Sequence, residues 1–194
     1  YFDGCTKLRS WICMPLIAGL QNRSEGTVRA LLGKELMTEN GLLTEQGSST
    51  FWDRSTLYAL RGIYIAGQAD RATEFLSHYA RRRLLGDHVP YPIEAWPEGS
   101  QRHLAAESGL FCRVITEGLF GIRPTGFRSF DLTPSMPSGW NRMALRHIRA
   151  FENNFDLVIE KQPDGFLRVT LAISGRNPRA FRLRQGASLR IKLP

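Results

Sequence analysis

Cysteine is scarce in this chain. Its three residues, Cys5, Cys13 and Cys112, lie far apart with no CxxC spacing, which argues against a disulfide scaffold. Cys13 and Cys112 stand in apolar helical surroundings and are expected as buried, reduced thiols. Histidine is also rare, and His78, His88 and His147 show no metal-ligand spacing with one another, so no metal site is expected. No apolar run approaches the ~20 residues that cross a bilayer. The best stretch, Trp11 to Leu20, is short, contains Pro15 and Gly19, and lacks the flanks of a secretion signal; no membrane partner is expected. There is no glycine-rich phosphate loop, Ser48-Ser49 has no nucleophile-elbow context, and no helix-turn-helix, RNP or zinc-ligand pattern occurs. Cofactor chemistry and specific nucleic-acid reading are therefore not expected.

What is present is enough for a sizeable core. The chain has 194 residues, 42% hydrophobic and 23% charged, room for one large or two small domains. It begins at Tyr1, which suggests a piece of something longer. The net charge of +8 is concentrated. Residues 1–120 hold 13 Lys/Arg and 13 Asp/Glu, whereas residues 121–194 hold 13 Lys/Arg against Asp131, Glu152, Asp156, Glu160 and Asp164. Charge and hydrophobic period change together near Gly121, which places a helical region at 1–122 and an antiparallel β domain at 123–194.

The first region carries apolar residues at helical spacing over Thr6 to Leu20, with Pro15 expected to kink it, and over Glu25 to Met37, Trp52 to Ala66, Arg71 to Leu84 and Leu104 to Phe120. Short turns link the first four of these in pairs, the grammar of helical hairpins. From Gly126 the period falls to two. Six short strands are expected, separated by Pro137-Ser-Gly, Asn153-Asn154, Pro163-Asp-Gly, Gly175-Arg-Asn-Pro and Gln185-Gly186. In Phe181-Arg-Leu-Arg184 and Leu189-Arg-Ile-Lys-Leu193 basic residues alternate with apolar ones. That is a strand with one wet face and one core face, and the wet face is either simply solvated or a polyanion surface.

The densest chemistry lies in Tyr91-Pro-Ile-Glu-Ala-Trp-Pro-Glu-Gly-Ser-Gln-Arg-His103, where Pro90, Pro92, Pro97 and Gly99 exclude regular structure. Aromatic faces stack on sugar rings, amides and guanidinium groups hold hydroxyls, and a carboxyl handles the proton. Glu94 and Glu98 are the candidate catalytic carboxyls, since glycosidases set two of them ~5 to 9.5 Å apart. Tyr91, Trp96, Gln101, Arg102 and His103 are candidate substrate contacts. Trp52 and Asp53, at a helix start, join them. Each has a plainer reading as well: solvated loop acids, a core Trp, a helix-start carboxylate, a capping His. In an antiparallel array, helices one, three and five start at the same rim. Asp3, Glu45, Asp53, Glu94, Glu98, Gln101, Arg102 and His103 all precede those starts.

The run from Glu107 to Trp140, with Glu117-Gly-Leu-Phe-Gly-Ile-Arg-Pro124 and the Pro134-to-Pro137 segment, resembles the barrel-to-tail junction of six-hairpin glycoside hydrolases, particularly the α-rhamnosidase and α-fucosidase types of bacteria. Ile93-Glu94-Ala95-Trp96 sits where those sequences carry a Trp-Glu-Arg-Trp-like motif, with Ile93 and Ala95 departing from it. The resemblance implies an α+β chain: antiparallel helical hairpins from the end of an α/α six-hairpin toroid, then a small β-sandwich-like tail. It implies inverting acid/base hydrolysis of an oligo- or polysaccharide, with Glu94 as one carboxyl, Glu98 as substitute, and the partner carboxylate in a missing N-terminal part. It favours the bacterial periplasm or exterior, and an open hairpin edge that self-associates. Two other readings stand beside it: a toroid-type polysaccharide lyase using Tyr91 and His103, and a non-enzymatic helical-repeat module with a basic polyanion-binding tail.

Overall fold

A computed structural model describes residues 4–85, 91–96 and 105–194. The chain falls into two units, Tyr1–Gly118 and Leu119–Pro194.

In the first unit a 3-10 turn, Ser10–Cys13, leads into the one-turn helix α1, Met14–Ile17. Pro15 stands in its first turn, where a missing N–H costs nothing, so it starts this helix rather than kinking a longer one. Helix α2, Ser24–Leu31, stops well short of Met37. The strands β1 (Met37–Thr38) and β2 (Gly41–Leu42) then pair as a tight hairpin. Gly41 makes this possible: its φ is +119°, and a Cβ there would meet Thr56 Oγ1 at 2.8 Å. Thr56 Oγ1 in turn accepts the Leu42 N–H at 2.9 Å, tying the hairpin to the next helix. Strand β3 (Phe51–Trp52) runs straight into α3, Asp53–Ile65. Helix α4, Ala69–Tyr79, continues through wider π turns at Ala80–Leu84. Strand β4 (Ala95–Trp96) pairs with β3, setting Phe51 opposite Trp96 and Trp52 opposite Ala95. Helix α5, Ala105–Arg113, is extended by π turns at Val114–Leu119.

Helix α3 is the centre of this unit. Leu57, Ala59, Leu60, Ile63 and Tyr64 are buried on it, and it packs on α1, α4 and α5, where Leu16, Phe75 and Leu110 are buried. Each such aliphatic or aromatic side chain contributes roughly 1.5–3 kcal/mol by leaving water. Helices α3 and α4 lie antiparallel: Tyr64 and Thr73 hydroxyls meet at 2.9 Å near the turn, and Asp53 pairs with Arg83 at the far end.

These elements overturn the expected toroid. A six-hairpin barrel requires successive long helices, and the α-helices described run 4, 8, 13, 11 and 9 residues. Between α2 and α3 the chain forms β-hairpin and bridge pairings, including Arg9 with Glu45 and Leu43 with Phe51. The physical reason lies in Pro15, Gly33 and Asn40-Gly41, which divide the apolar periodicity into short helices and turns. With no barrel to close, the argument for self-association through an open hairpin edge lapses. Among the described residues, no helix is long and apolar enough to cross a membrane.

The second unit is all antiparallel. Strands β5 (Ile122–Gly126), β6 (Ser129–Leu132) and β11 (Leu189–Lys192) form a sheet ordered β11-β6-β5. Strands β7 (Arg142–Ala150), β8 (Asn153–Lys161), β9 (Phe166–Ile173) and β10 (Arg179–Arg184) form a meander ordered β10-β9-β8-β7. Strand β5 precedes the start of the two-residue period at Gly126 and carries Pro124; it sits on a sheet edge, where proline is tolerated. The inner residues Phe155, Leu157, Ile159, Leu167, Val169 and Leu171 are buried, as are Phe130, Leu132 and Ile191 of the smaller sheet. The sheets meet where Phe130 stacks on Phe155 and Phe151, ring centroids 6.0 and 5.6 Å apart.

Candidate functional site

The β3–β4 ladder brings the sequence candidates together. Trp52 stands beside Ala95 in register, and the next residue, Asp53, accepts the Ile93 N–H at 2.8 Å through Oδ2. The same oxygen takes Arg83 Nη2 at 3.2 Å. Asp53 and Arg83 are 1% and 2% exposed, so Asp53 acts as a clamp between α3, the end of α4 and the 91–96 segment. Tyr79 completes this buried group. Burial first, and then the Asp53 charge, pushes its phenol well above the usual range.

Glu94 lies just outside that clamp, 39% exposed, with Oε1 3.0 Å from Arg54 Nη1. Arg54 also donates from Nε to Glu107 Oε1 at 2.6 Å, and Glu107 is fully buried. The Glu107 hydrogen bond raises the Arg54 pKa above its ordinary value. Glu107 Oε2 finds no hydrogen-bond partner among the described residues. Arg54 thus joins a sealed carboxylate to one that reaches the surface. Two turns along α3, Arg61 donates to Glu117 Oε2 at 2.8 Å, and Glu117 also takes Arg113 Nη2 at 2.9 Å. Burial lowers the Arg61 pKa and the Glu117 charge opposes that. The pairs Arg54–Glu107 and Arg61–Glu117 show α3 and α5 running in the same direction, so their starts share a rim.

Aromatic rings flank this charge line. Trp11 meets Trp52 edge to face, centroids 5.4 Å apart, and tilts against Tyr58 at 5.9 Å. The Arg61 guanidinium lies 5.4 Å from the centre of the Tyr58 ring. Trp11, Trp52 and Tyr58 are all half-buried, with part of each ring left to solvent. Glu45 is drawn below its ordinary pKa by hydrogen bonds from Lys7 and Arg9 at 3.1 and 3.2 Å.

Of the residues singled out from sequence, Trp52, Asp53, Glu94 and the Trp96 backbone are on this ladder, and Tyr91 is half-buried nearby in the chain. Asp3, Glu98, Gln101, Arg102 and His103 lie outside the described residues. Arg54, Tyr58, Trp11 and Glu107 were not selected. Arg54, Tyr58 and Arg61 recur at helical spacing on an otherwise apolar helix, and that polar stripe was the available signal. Cys112 is exposed rather than buried, whereas burial drives the Cys13 thiol up to about 12.

A separate cleft of about 640 Å³ opens between the β1 turn and α4, with Leu32, Met37 and Phe75 in its wall and Glu39, Glu74 and His78 among its polar lining. It contains none of the sequence candidates. Among the described residues, no group of three His, Cys, Asp or Glu side chains is placed to hold a metal ion.

Comparison with protein-family models, curated proteins and solved structures gives no match for this chain. The resemblance to six-hairpin glycosidases therefore has no family support, and the short helices and interposed strands contradict it.

Proposed function

We propose that the first unit handles carbohydrate, with Trp52, Trp11 and Tyr58 as the stacking surface and Glu94 as the carboxyl that meets the sugar. The observation that carries this reading is the Glu94–Arg54–Glu107 line set beside three part-exposed aromatic rings. Sugars combine apolar C–H faces with rings of hydroxyls. A half-buried Trp or Tyr supplies the stacking plane, while a fixed carboxylate and guanidinium accept from and donate to the hydroxyls. Arg54 holds Glu94 in place, and buried Glu107 holds Arg54, so the surface carboxyl is positioned by a group that never meets solvent.

Glycoside hydrolysis is the chemistry this proposal assigns to Glu94, as one of two carboxyls flanking the scissile bond. Glu107 is sealed and serves position alone. Glu98, the other acid of the same segment, is the alternative to Glu94 for this role. The test is turnover of an aryl-glycoside panel with Glu94→Gln and Glu107→Gln beside the wild type. The expected result is loss of turnover in Glu94→Gln with oligosaccharide binding retained. Normal turnover in that variant would remove Glu94 from the chemistry.

A further inference from the structure

The second unit carries an imbalance that its own ion pairs make visible. Its five carboxylates are each taken by one arginine: Asp131 by Arg190, Glu152 by Arg128, Asp156 by Arg146, Glu160 by Arg142 and Asp164 by Arg182. With 13 basic residues present, the remainder, Arg123, Arg149, Lys161, Arg168, Arg176, Arg179, Arg184 and Lys192, have no carboxylate partner among the described residues. The whole net charge of the chain is therefore left unneutralised on one small β unit.

Two of that remainder, Arg168 and Arg184, lie on the outer face of the meander beside the Asp164-paired Arg182. The register sets Arg182 of β10 directly opposite Arg168 of β9, and Arg184 opposite Phe166. Arg168, Arg182 and Arg184 are all exposed, and the residues alternating with them, Leu167, Val169 and Leu183, are buried. Glu160 of β8 stands opposite Arg168 on its other side and Asp164 takes Arg182, so carboxylates border this row, within which Arg168 and Arg182 still face each other as like charges. Arg182 lies 3.6 Å from the centre of the Phe166 ring and Arg184 5.7 Å from it. That contact, with Asp164 on Arg182 at 2.8 Å, fixes the guanidinium groups in place before any ligand arrives.

We infer that this Arg168–Arg182–Arg184 face binds an acidic polysaccharide, one bearing sulfate or carboxylate groups. Guanidinium forks match such groups bidentately, and an extended glycan lying across β9 and β10 would meet arginines about 5 Å apart. Single-stranded nucleic acid fits less well, because its binding draws on open aromatic platforms. Phe166 is already covered by Arg182, and Phe181 lies beneath Arg179 at 5.0 Å. A sheet face presents no helix or ribbon to a DNA groove. This inference is independent of the sugar site proposed for the first unit and uses none of its residues.

The experiment is calorimetric titration of the full chain with heparin, polygalacturonate, a 20-base-pair DNA duplex and a single-stranded RNA, from about 50 to about 200 mM salt. Wild-type protein is expected to bind heparin or polygalacturonate more tightly than either nucleic acid of matched charge, and to lose at least about tenfold in affinity across that salt range. Arg168→Glu/Arg184→Glu is expected to lose about tenfold or more, while Arg123→Glu/Arg176→Glu, equal in charge change, loses little. Both double variants should show native circular dichroism. Equal losses in the two variants, tighter binding of either nucleic acid, or no binding to any of the four at low salt would each overturn the inference. Trp52→Ala should leave this binding unchanged, which separates its outcome from that of the sugar site.

Discussion

The two units handle charge in opposite ways. In the first, Asp53–Arg83, Arg54–Glu107 and Arg61–Glu117 are drawn inside, each with at least one partner at 5% exposure or less. In the second, every acid–arginine pair lies on the surface, most of them between strands. Buried pairs act as positioning devices: removing one partner leaves a charge without water or counter-ion. Surface pairs contribute little each and leave the excess cations available. The first unit is thus organised to hold particular side chains still, and the second to present a charged face.

Breaking that contrast at its strongest point means Asp53→Ala. It strands Arg83 and frees the Ile93 N–H, and should cost about 3–5 kcal/mol, read as the drop in chemical-denaturation free energy. Glu107→Gln should follow, at about 1–3 kcal/mol, because the buried acceptor of Arg54 loses the charge that strengthens that hydrogen bond. In the second unit the larger effect is a gain. Phe151 and Glu152 form the β7–β8 turn with φ near +55° and +59°, a conformation disfavoured by roughly 1–2 kcal/mol for residues with a Cβ. Glu152→Gly should recover about 1 kcal/mol of that, despite losing the surface pair to Arg128. At the small end, Asp164→Asn should lower the melting temperature only slightly, in clear contrast with Asp53→Ala.

A pH series sharpens the same contrast. The Cys13 thiol ionises near 9.0 when free and at about 12 in place. Its contribution is therefore intact below about pH 9. It is lost as pH rises from there towards 12, because only the unfolded chain releases the proton. Thiol labelling of native protein at pH 8 should modify Cys5 and Cys112, which are exposed, and spare Cys13. In acid the order reverses. Asp131, Asp156 and Asp164 are held below the usual carboxylate range, Asp131 chiefly by the Arg190 hydrogen bond and the other two chiefly by backbone N–H groups. Their stabilisation is present above the unfolded pKa and fades as pH falls through the lower folded value. Circular dichroism against pH reads both limbs.

Period two made the strands from Met143 to Leu193 legible, because alternation and turn residues point to one answer there. Strand β5 escaped because it precedes the start of that period and carries an edge proline. In the first unit helical periodicity placed apolar faces but overran their ends. Gly41 at positive φ and Pro15 in a first turn carry boundary information that a hydrophobic stripe does not. The toroid followed from reading those stripes as full-length helices, and from a likeness around Glu107 to Trp140 that the architecture does not share. For the site, Glu94 and Trp52 stood out through their unusual neighbours. Arg54 showed only in the polar stripe of its helix and Glu107 not at all, since an ion pair between residues 53 positions apart has no local pattern of its own.

We propose the rings around Trp52 and the Arg54-held carboxyl of Glu94 as a sugar-binding surface. It is tested most directly by tryptophan-fluorescence titration with neutral oligosaccharides, in wild type, Trp52→Ala and Arg168→Glu/Arg184→Glu. The account predicts a saturable change in wild type and in the arginine variant that disappears in Trp52→Ala. No saturable change with any neutral oligosaccharide, or an equal change in Trp52→Ala, would contradict it.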